Sequence, residues 1–195
     1  MNAVEFRFEQ ETHTYLSPVT GEVYPSITQM LDRTGWIDSR WYTEASSERG
    51  TVVHDLTARH DLGVLDLDTV PDQYRGWVGA YANVVSILQP EWVKIEEPAV
   101  HPHYRFGGRI DRVMKLRGAY GVLEIKSGIP QRSHPIQTAL QAILEAHDLG
   151  LAPEAIQRFA LYLKPTGRFS LEEHKRLRDF DDARDVISRC CGRAS

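Results

Sequence analysis

Three charged side chains, Asp111, Glu124 and Lys126, stand inside apolar stretches of the segment 104–128 that otherwise have the composition of buried strands. Glu124 and Lys126 are two positions apart, so they share one face of a strand, and the residues beside Glu124 turn to the opposite face. Asp111 follows Ile110 in a similar stretch, so a neighbouring strand can bring its carboxylate to that face. The sequence therefore predicts two carboxylates and one ammonium group at one place.

Such a group of side chains suits the hydrolysis of a phosphodiester. Carboxylate oxygens are hard ligands that favour Mg²⁺ or Mn²⁺, and a bound metal lowers the pKa of its water and neutralises charge on a phosphate. Lys126 would orient that water. The alternative is a solvated strand face that carries an ordinary Glu–Lys pair, worth about 0–1 kcal/mol.

Strands and helices on both sides of this segment are predicted to position the group. RFGGRIDRVMKL and YGVLEIKSG alternate like paired strands joined at Arg117-Gly118-Ala119, and WVKIEEPAV is predicted to form the strand before them. A helix from about residue 39 to 60 carries His54, and a helix over 134–149 places Gln137 and Gln141 on one face.

The order of these motifs resembles a known family. GGRID, followed by EIKSG with Glu124 thirteen positions after Asp111, is similar to motifs II and III of the PD-(D/E)XK nuclease superfamily, in its RecB-like and lambda-exonuclease-like branch. ERGTVVHDL resembles the helix that supplies a metal-binding histidine there, and HPIQTALQAILEA resembles the helix of its Gln-x-x-x-Tyr motif. The spacing of Phe8, His13 and Tyr15 looks like the opening of phage-type members.

The resemblance implies a metal site that holds one or two Mg²⁺ or Mn²⁺ ions. Asp111 and Glu124 would bind the metal, with His54 and Glu97 as further ligands. Glu97 is the better candidate at its place because it directly precedes Pro98-Ala99-Val100, and Glu96, on the other strand face, stays open as the alternative. The four cysteines of an iron–sulfur cluster are lacking, since Cys190 and Cys191 are the only two in the chain.

The remaining roles concern the substrate. By resemblance, Lys126 positions the attacking water and Gln137 holds the substrate or Lys126. Residues 101–135 carry seven Lys or Arg against two Asp or Glu, whereas the whole chain has a net charge of −4, so a basic patch is predicted beside the site. The residues expected to contact DNA are Arg105, Arg109, Arg132 and Gln141, the last standing where the family has tyrosine.

Length and composition favour a single α/β domain. With 195 residues, of which 42% are hydrophobic, we expect one nuclease domain with a mixed central sheet of about five strands flanked by helices. An N-terminal hairpin and short helix (1–35) would precede a core over about 39–175 and a C-terminal helix over about 179–191. No signal or membrane-spanning stretch and no disulfide framework are evident, which predicts a cytoplasmic protein without a membrane partner.

The function predicted from these features is metal-dependent DNA hydrolysis, with an exonuclease in recombination, repair or phage DNA processing as the expected type. Its partner would be DNA, as duplex ends or single strands; a recombination or single-strand-binding protein and a homo-oligomer are further candidates. The rival is a noncatalytic nucleic-acid- or protein-binding module that keeps the nuclease fold. An RNA-directed nuclease with the same chemistry is not separable, because nothing in the sequence distinguishes a 2′-hydroxyl.

Overall fold

The computed structural model describes residues 6–9, 14–38 and 43–192, and within them two β-sheets. A small antiparallel sheet near the N-terminus comprises β1 (Arg7–Glu9), β2 (Thr14–Leu16) and β3 (Val23–Tyr24). The central sheet comprises β4 (Glu91–His101), β5 (Phe106–Leu116), β6 (Ala119–Lys126), β7 (Gln157–Leu163) and β8 (Phe169–Glu173). Neighbouring strands are in sequence order, and all pairs are antiparallel except β6 and β7, which are parallel.

Helices cover both faces of the central sheet. They are α1 (Ile27–Arg33), α2 (Glu44–Asp61), α3 (Arg75–Leu88), α4 (His134–Leu149) and α5 (Arg178–Cys191). One apolar core lies between the sheet and α1, α4 and α5, and a second lies between the sheet and α2 and α3. The predicted fold class, a mixed five-stranded sheet flanked by helices, is confirmed.

Local sequence signals explain most of the element boundaries. The β5–β6 hairpin turns at Arg117 and Gly118, which both have positive φ (53° and 85°), the conformation that a tight two-residue hairpin requires. Ser26 caps α1 in a capping box with Gln29. Helix α4 ends at Gly150, whose φ of 65° is the left-handed conformation that commonly ends helices.

Two predicted features differ from the structure or lie outside it. The helix that carries His54 begins at Glu44 rather than near residue 39, because Thr43 caps it through the amide and side chain of Ser46. Residues 39–42 lie outside the described residues, and so does His13 of the N-terminal pattern.

The paired glycines before Asp111 serve internal packing. A Cβ at Gly107 would lie 2.4 Å from the ring of Tyr15, and one at Gly108 would lie 2.7 Å from the end of Ile27. The main chain of Gly107 also donates to Pro25 O at 3.0 Å. The close approach therefore fixes the N-terminal sheet and α1 against β5.

Among the described residues, none of the helices combines the length and the apolar character needed to cross a bilayer.

Candidate active site

The side chains of His54, Glu96 and Asp111 converge at one place between α2 and the central sheet. One ligand atom from each lies within 4.8 Å of those from the other two. His54 Nδ1 is 3.2 Å from Glu96 Oε1 and 3.3 Å from Asp111 Oδ1. A nitrogen and two carboxylate oxygens so arranged form a donor set that fits a divalent metal ion.

Backbone geometry places Glu96 in this cluster. In the β4–β5 pair, Ile95 lies opposite Arg112 and Glu97 opposite Ile110, so Glu96 faces Asp111. Glu96 has a φ of 52°, a left-handed conformation that is uncommon for a residue other than glycine and often occurs at functional sites.

The structure does not bring Glu97, the preferred metal ligand of the sequence analysis, into the cluster. Its side chain is exposed, and it is close enough to Glu145, on α4, to raise the pKa of that buried carboxyl, although burial is the main cause of that rise. Glu96, the alternative left open, occupies the position instead. The position of Glu97 directly before Pro98-Ala99-Val100 was therefore not a guide to the ligand, because the left-handed backbone at Glu96 turns that residue toward Asp111.

The cluster is strongly coupled electrostatically. Burial by itself would lower the pKa of His54, but the carboxylates of Asp111 and Glu96 outweigh it and raise this pKa to about 10. Without a metal, His54 is therefore protonated at neutral pH, and its charge offsets one of the two carboxylates.

Arg112 links the strands of the cluster to α2. Its fully buried guanidinium donates to Asp61 Oδ2 at 2.5 Å, to Glu96 Oε1 at 3.1 Å and to Thr57 Oγ1 at 3.2 Å. Tyr81 donates its hydroxyl to the same Asp61 oxygen. Arg112 is one of the seven basic residues of the predicted basic patch, but it lies inside the protein and does not contribute to a surface for DNA.

Glu124 and Lys126 form a second group beside the first. Lys126 Nζ donates to Glu124 Oε1 at 2.6 Å, and Gln137 Nε2 donates to the same oxygen at 2.7 Å. Asp111 joins this group to the metal-binding cluster, because its Oδ2 accepts a 2.6 Å hydrogen bond from the main-chain N–H of Ile125. The predicted convergence of Asp111, Glu124 and Lys126 therefore has a structural counterpart, although Glu124 is not one of the three residues whose ligand atoms converge.

Gln141 lies behind Glu124 and not at a surface. It is 1% exposed and donates through Nε2 to Glu124 Oε2. The prediction that Gln141 contacts DNA does not match this position, because α4 turns that residue into the protein. Its place explains how this chain differs from a Gln-x-x-x-Tyr motif: the second glutamine supplies another donor to the buried carboxylate.

The predicted DNA-contacting arginines occupy three different environments. Arg109, one third exposed, pairs with Glu96 Oε2 at 3.2 Å. Arg132 donates to Gly35 O at 2.5 Å and lies over the ring of Trp36 at 5.7 Å. Arg105 is more exposed and pairs with Glu22 at 3.3 Å. Arg109 is thus at the metal-binding cluster, Arg132 is on the cleft wall, and Arg105 is away from both groups.

A cleft of about 830 Å³ leads to the site and is lined by His54, Lys126 and residues of α2 and of the β6–α4 loop. Arg49 also lines it, and its buried Nε has no hydrogen-bond partner among the described residues. Sequence reasoning missed this arginine. Its position directly before Gly50, on the helix that carries His54, was the available signal.

No family model matches the sequence, and no curated protein matches it. Among solved structures, a candidate exonuclease from Eubacterium rectale aligns with a TM-score of 0.52 at 12% identity, over 85% of this chain and 77% of that one. LHK-Exo in complex with dAMP aligns with a TM-score of 0.37 at 12% identity, over 85% of each chain.

At such identities the likeness concerns the fold alone. The mixed sheet with helices on both faces is shared with the exonuclease-like structure from Eubacterium rectale. The chain therefore shares that α/β fold and carries a metal-compatible cluster beside a cleft.

Proposed function

We propose that the protein is a metal-dependent nuclease that hydrolyses phosphodiester bonds of DNA, in the manner of the RecB-like and lambda-exonuclease-like enzymes that the sequence resembles. The observation that carries this proposal is the convergence of His54, Glu96 and Asp111 next to buried Glu124 and its partner Lys126, which lines the cleft. In the metal-free protein, protonated His54 and the guanidinium groups of Arg109 and Arg112 compensate the carboxylates. A divalent cation could take the place of the His54 proton and bind a phosphate oxygen beside it.

The metal ligands in this proposal are His54, Glu96 and Asp111. Glu124 would join them for a second ion or after a change of rotamer. Carboxylates suit Mg²⁺ and Mn²⁺, and the imidazole nitrogen adds preference for Mn²⁺. A bound metal would supply a water of lowered pKa and would neutralise charge on the phosphate. Because His54 is protonated without metal, it must lose its proton to become a ligand.

Lys126 is proposed to hold the attacking water. Its ammonium group is at the cleft and is anchored by Glu124, so a water hydrogen-bonded to it would lie close to the metal ligands. Gln137 and Gln141 both donate to Glu124. These two amides would hold the carboxylate of Glu124 in place. In this proposal, Gln137 acts through Glu124 and does not hold the substrate itself.

Arginines along the cleft are proposed to bind the phosphate backbone. Arg49 and Arg132 line it directly, and Arg109 can exchange its contact with Glu96 for a phosphate once a metal neutralises that carboxylate. Guanidinium groups bind phosphates in a bidentate manner, which positions DNA without reading its sequence. Arg105 would contact only a longer duplex.

Digestion of linear and covalently closed circular duplex DNA in the presence of Mn²⁺ tests this function and its mode. An exonuclease degrades only the linear form, and the Lys126→Ala variant should lose activity. Lys175→Ala is the matched control, since Lys175 is exposed and its ion pair within the described part of the chain is with Glu173. Cutting of the circle would indicate an endonuclease, and DNA binding without cleavage would favour the noncatalytic module.

A further inference from the structure

His134 is a buried histidine on the wall of the cleft that has no part in the metal-binding cluster. It is the first residue of α4 and is 4% exposed, yet it lines the cleft together with Lys126. A histidine in such a place can act as an acid, a base, a hydrogen-bond donor or a structural group. The contacts of its two ring nitrogens distinguish among these roles.

The Nδ1 atom of His134 is an acceptor. The main-chain N–H of Gln131 points to it at 3.2 Å, and a main-chain N–H can only donate. The hydroxyl of Tyr162 lies 2.8 Å from the same nitrogen, so it also donates. Two donors on Nδ1 leave no room for a proton there, and the neutral ring must carry its proton on Nε2.

Several features keep the ring neutral. Burial lowers the pKa of His134, the positive charge of Lys126 lowers it further, and the result is a pKa of about 3. The ring also lies at the N-terminus of α4, where the helix dipole disfavours a positive charge. At neutral pH, His134 is therefore neither a general acid nor a general base. Its ring instead offers a fixed N–H group as a hydrogen-bond donor.

The Nε2–H group is left for the cleft. No hydrogen bond among the described residues involves Nε2 of His134. Nε2 is also not one of the fully buried polar atoms that have no hydrogen-bond partner. Since the Nδ1 edge faces Gln131 and Tyr162 and the ring lines the cleft, Nε2 is the edge that a bound molecule can reach.

We propose that His134 is a catalytic residue that donates its Nε2–H to a non-bridging oxygen of the phosphate undergoing hydrolysis. This inference deepens the proposed nuclease function and rests on it. The negative charge on that oxygen grows as the water attacks, so a donor held rigidly beside it stabilises the transition state more than the ground state. A neutral donor does this without transferring a proton.

Two substitutions at this position separate the donor from its structural contacts. In His134→Asn, the Oδ1 of asparagine replaces Nδ1 as the acceptor for Gln131 and Tyr162, but nothing reaches the cleft. In His134→Gln, the longer amide carries an N–H to the place of Nε2. The first variant keeps the internal contacts and removes the donor, and the second restores the donor.

The test is steady-state cleavage of linear DNA in Mn²⁺ by wild type and both variants, with melting temperature and Mn²⁺ affinity measured in parallel. We expect His134→Asn to lower kcat about 100-fold, the typical loss for one such donor, with KM, melting temperature and Mn²⁺ affinity nearly unchanged. His134→Gln should recover about tenfold or more of that loss. The ¹⁵N spectrum of the wild-type ring at neutral pH should show the Nε2-protonated neutral form.

Three results would overturn the role of His134 while leaving the nuclease proposal intact: an Asn variant as active as wild type, a Gln variant no better than a defective Asn variant, or a ring protonated on Nδ1. A wild-type protein that cleaves no DNA with either metal would instead overturn the nuclease proposal, and the role of His134 with it.

Discussion

His54, Glu96 and Asp111 form a site whose charges are balanced without a metal. The pKa of His54, raised to about 10, makes this residue a cation between two carboxylates, and Glu96 also contacts Arg109 and Arg112. We therefore expect the protein to fold before it binds a metal, and a bound metal would replace the proton of His54 with a stronger cation. When an amide replaces one of these carboxylates, the pKa of His54 falls and the imidazole can release its extra proton, so such a substitution should affect activity more than stability.

Asp111→Asn is expected to lower the cleavage rate at least about 100-fold and to shift the melting temperature by only a few degrees, because it removes one charge of the ligand set without creating a cavity. The amide oxygen of asparagine can still accept the hydrogen bond from Ile125 N–H, which Asp111 accepts at 2.6 Å. Asp111→Ala would leave that buried N–H without a partner, at a cost of about 1–3 kcal/mol. Rate and thermal melting of Asp111→Asn should be compared with wild type, and an unchanged rate would exclude Asp111 from the site.

At the scale of elements, the sequence predicts the strands and helices well because their signals are local. Alternation and the turn at Arg117 and Gly118 identify the β5–β6 hairpin, and apolar spacing with Gly150 identifies α4. These signals place Asp111, Glu124 and Lys126 near one another. The contacts of Glu96 and Arg112 depend on strand register and on the packing of α2. No local sequence pattern predicts either of these features.

Strand β4 shows this limit in two adjacent residues. The place of Glu97 directly before Pro98-Ala99-Val100 favours it as the ligand, whereas a single left-handed residue turns Glu96 toward Asp111. A positive φ at a residue other than glycine has no sequence signature here. In the same way, the burial of Arg112 and Gln141 could not be predicted, since both residue types are mostly exposed in proteins.

The pair Glu96→Gln and Glu97→Gln tests the register of β4. We expect Glu96→Gln to weaken Mn²⁺ binding about tenfold or more, since it removes a charged ligand and even outer contacts of metal sites contribute about 10–100-fold. Glu97→Gln, one position away and exposed, should bind Mn²⁺ like wild type. Isothermal titration calorimetry measures both, and the reverse order of affinities would place Glu97 in the site.

Arg112 is expected to be important for stability. Arg112→Met should lower the free energy of unfolding by about 3–5 kcal/mol, because it leaves the fully buried carboxylate of Asp61 without its main partner. The control is Arg109→Met, whose partly exposed pair with Glu96 should contribute about 0–1 kcal/mol. Denaturant unfolding gives both values, and equal losses would contradict the assigned role of Arg112.

At the scale of the whole molecule, several neutral histidines make stability depend on pH. Burial, followed by His147 and His103, lowers the pKa of His101 from 6.5 to about 4, and burial also lowers those of His134 and His174. Below about pH 6.5, each of these histidines binds a proton in the unfolded state but stays neutral in the folded state. Their contribution is complete above this pH and is lost progressively as the pH falls toward the folded pKa values of about 4 for His101 and about 3 for His134.

The free energy of unfolding should therefore fall as the pH is lowered from about 6.5 to about 4. Denaturant unfolding over this range measures the decrease. His101→Asn supplies the control, because asparagine can still accept the hydrogen bond that Tyr104 N–H donates to His101 Nδ1 but does not titrate. This variant should show a shallower decrease, and a slope equal to that of wild type would mean that His101 does not contribute.

The predicted basic patch is only partly present in the folded molecule. Composition placed seven Lys or Arg in residues 101–135, but Arg112 is buried, and Arg105, Lys115 and Lys126 each pair with a glutamate. The local net charge can be predicted from the sequence. Which acidic side chains neutralise it cannot be predicted, because those pairs depend on the fold. Arg49 and Arg132 on the cleft wall are better candidates for contact with DNA than the patch as a whole.

We infer that a metal held by His54, Glu96 and Asp111 enables the protein to cleave DNA. The most direct test is the release of nucleotides from labelled linear DNA by protein treated with EDTA, as Mn²⁺ or Mg²⁺ is added back, with metal binding followed by calorimetry on the same samples. We predict no release in EDTA and a rate that rises in step with occupancy of one high-affinity site. Cleavage that persists in EDTA, or no cleavage of single- or double-stranded DNA when the site is filled, would contradict the claim.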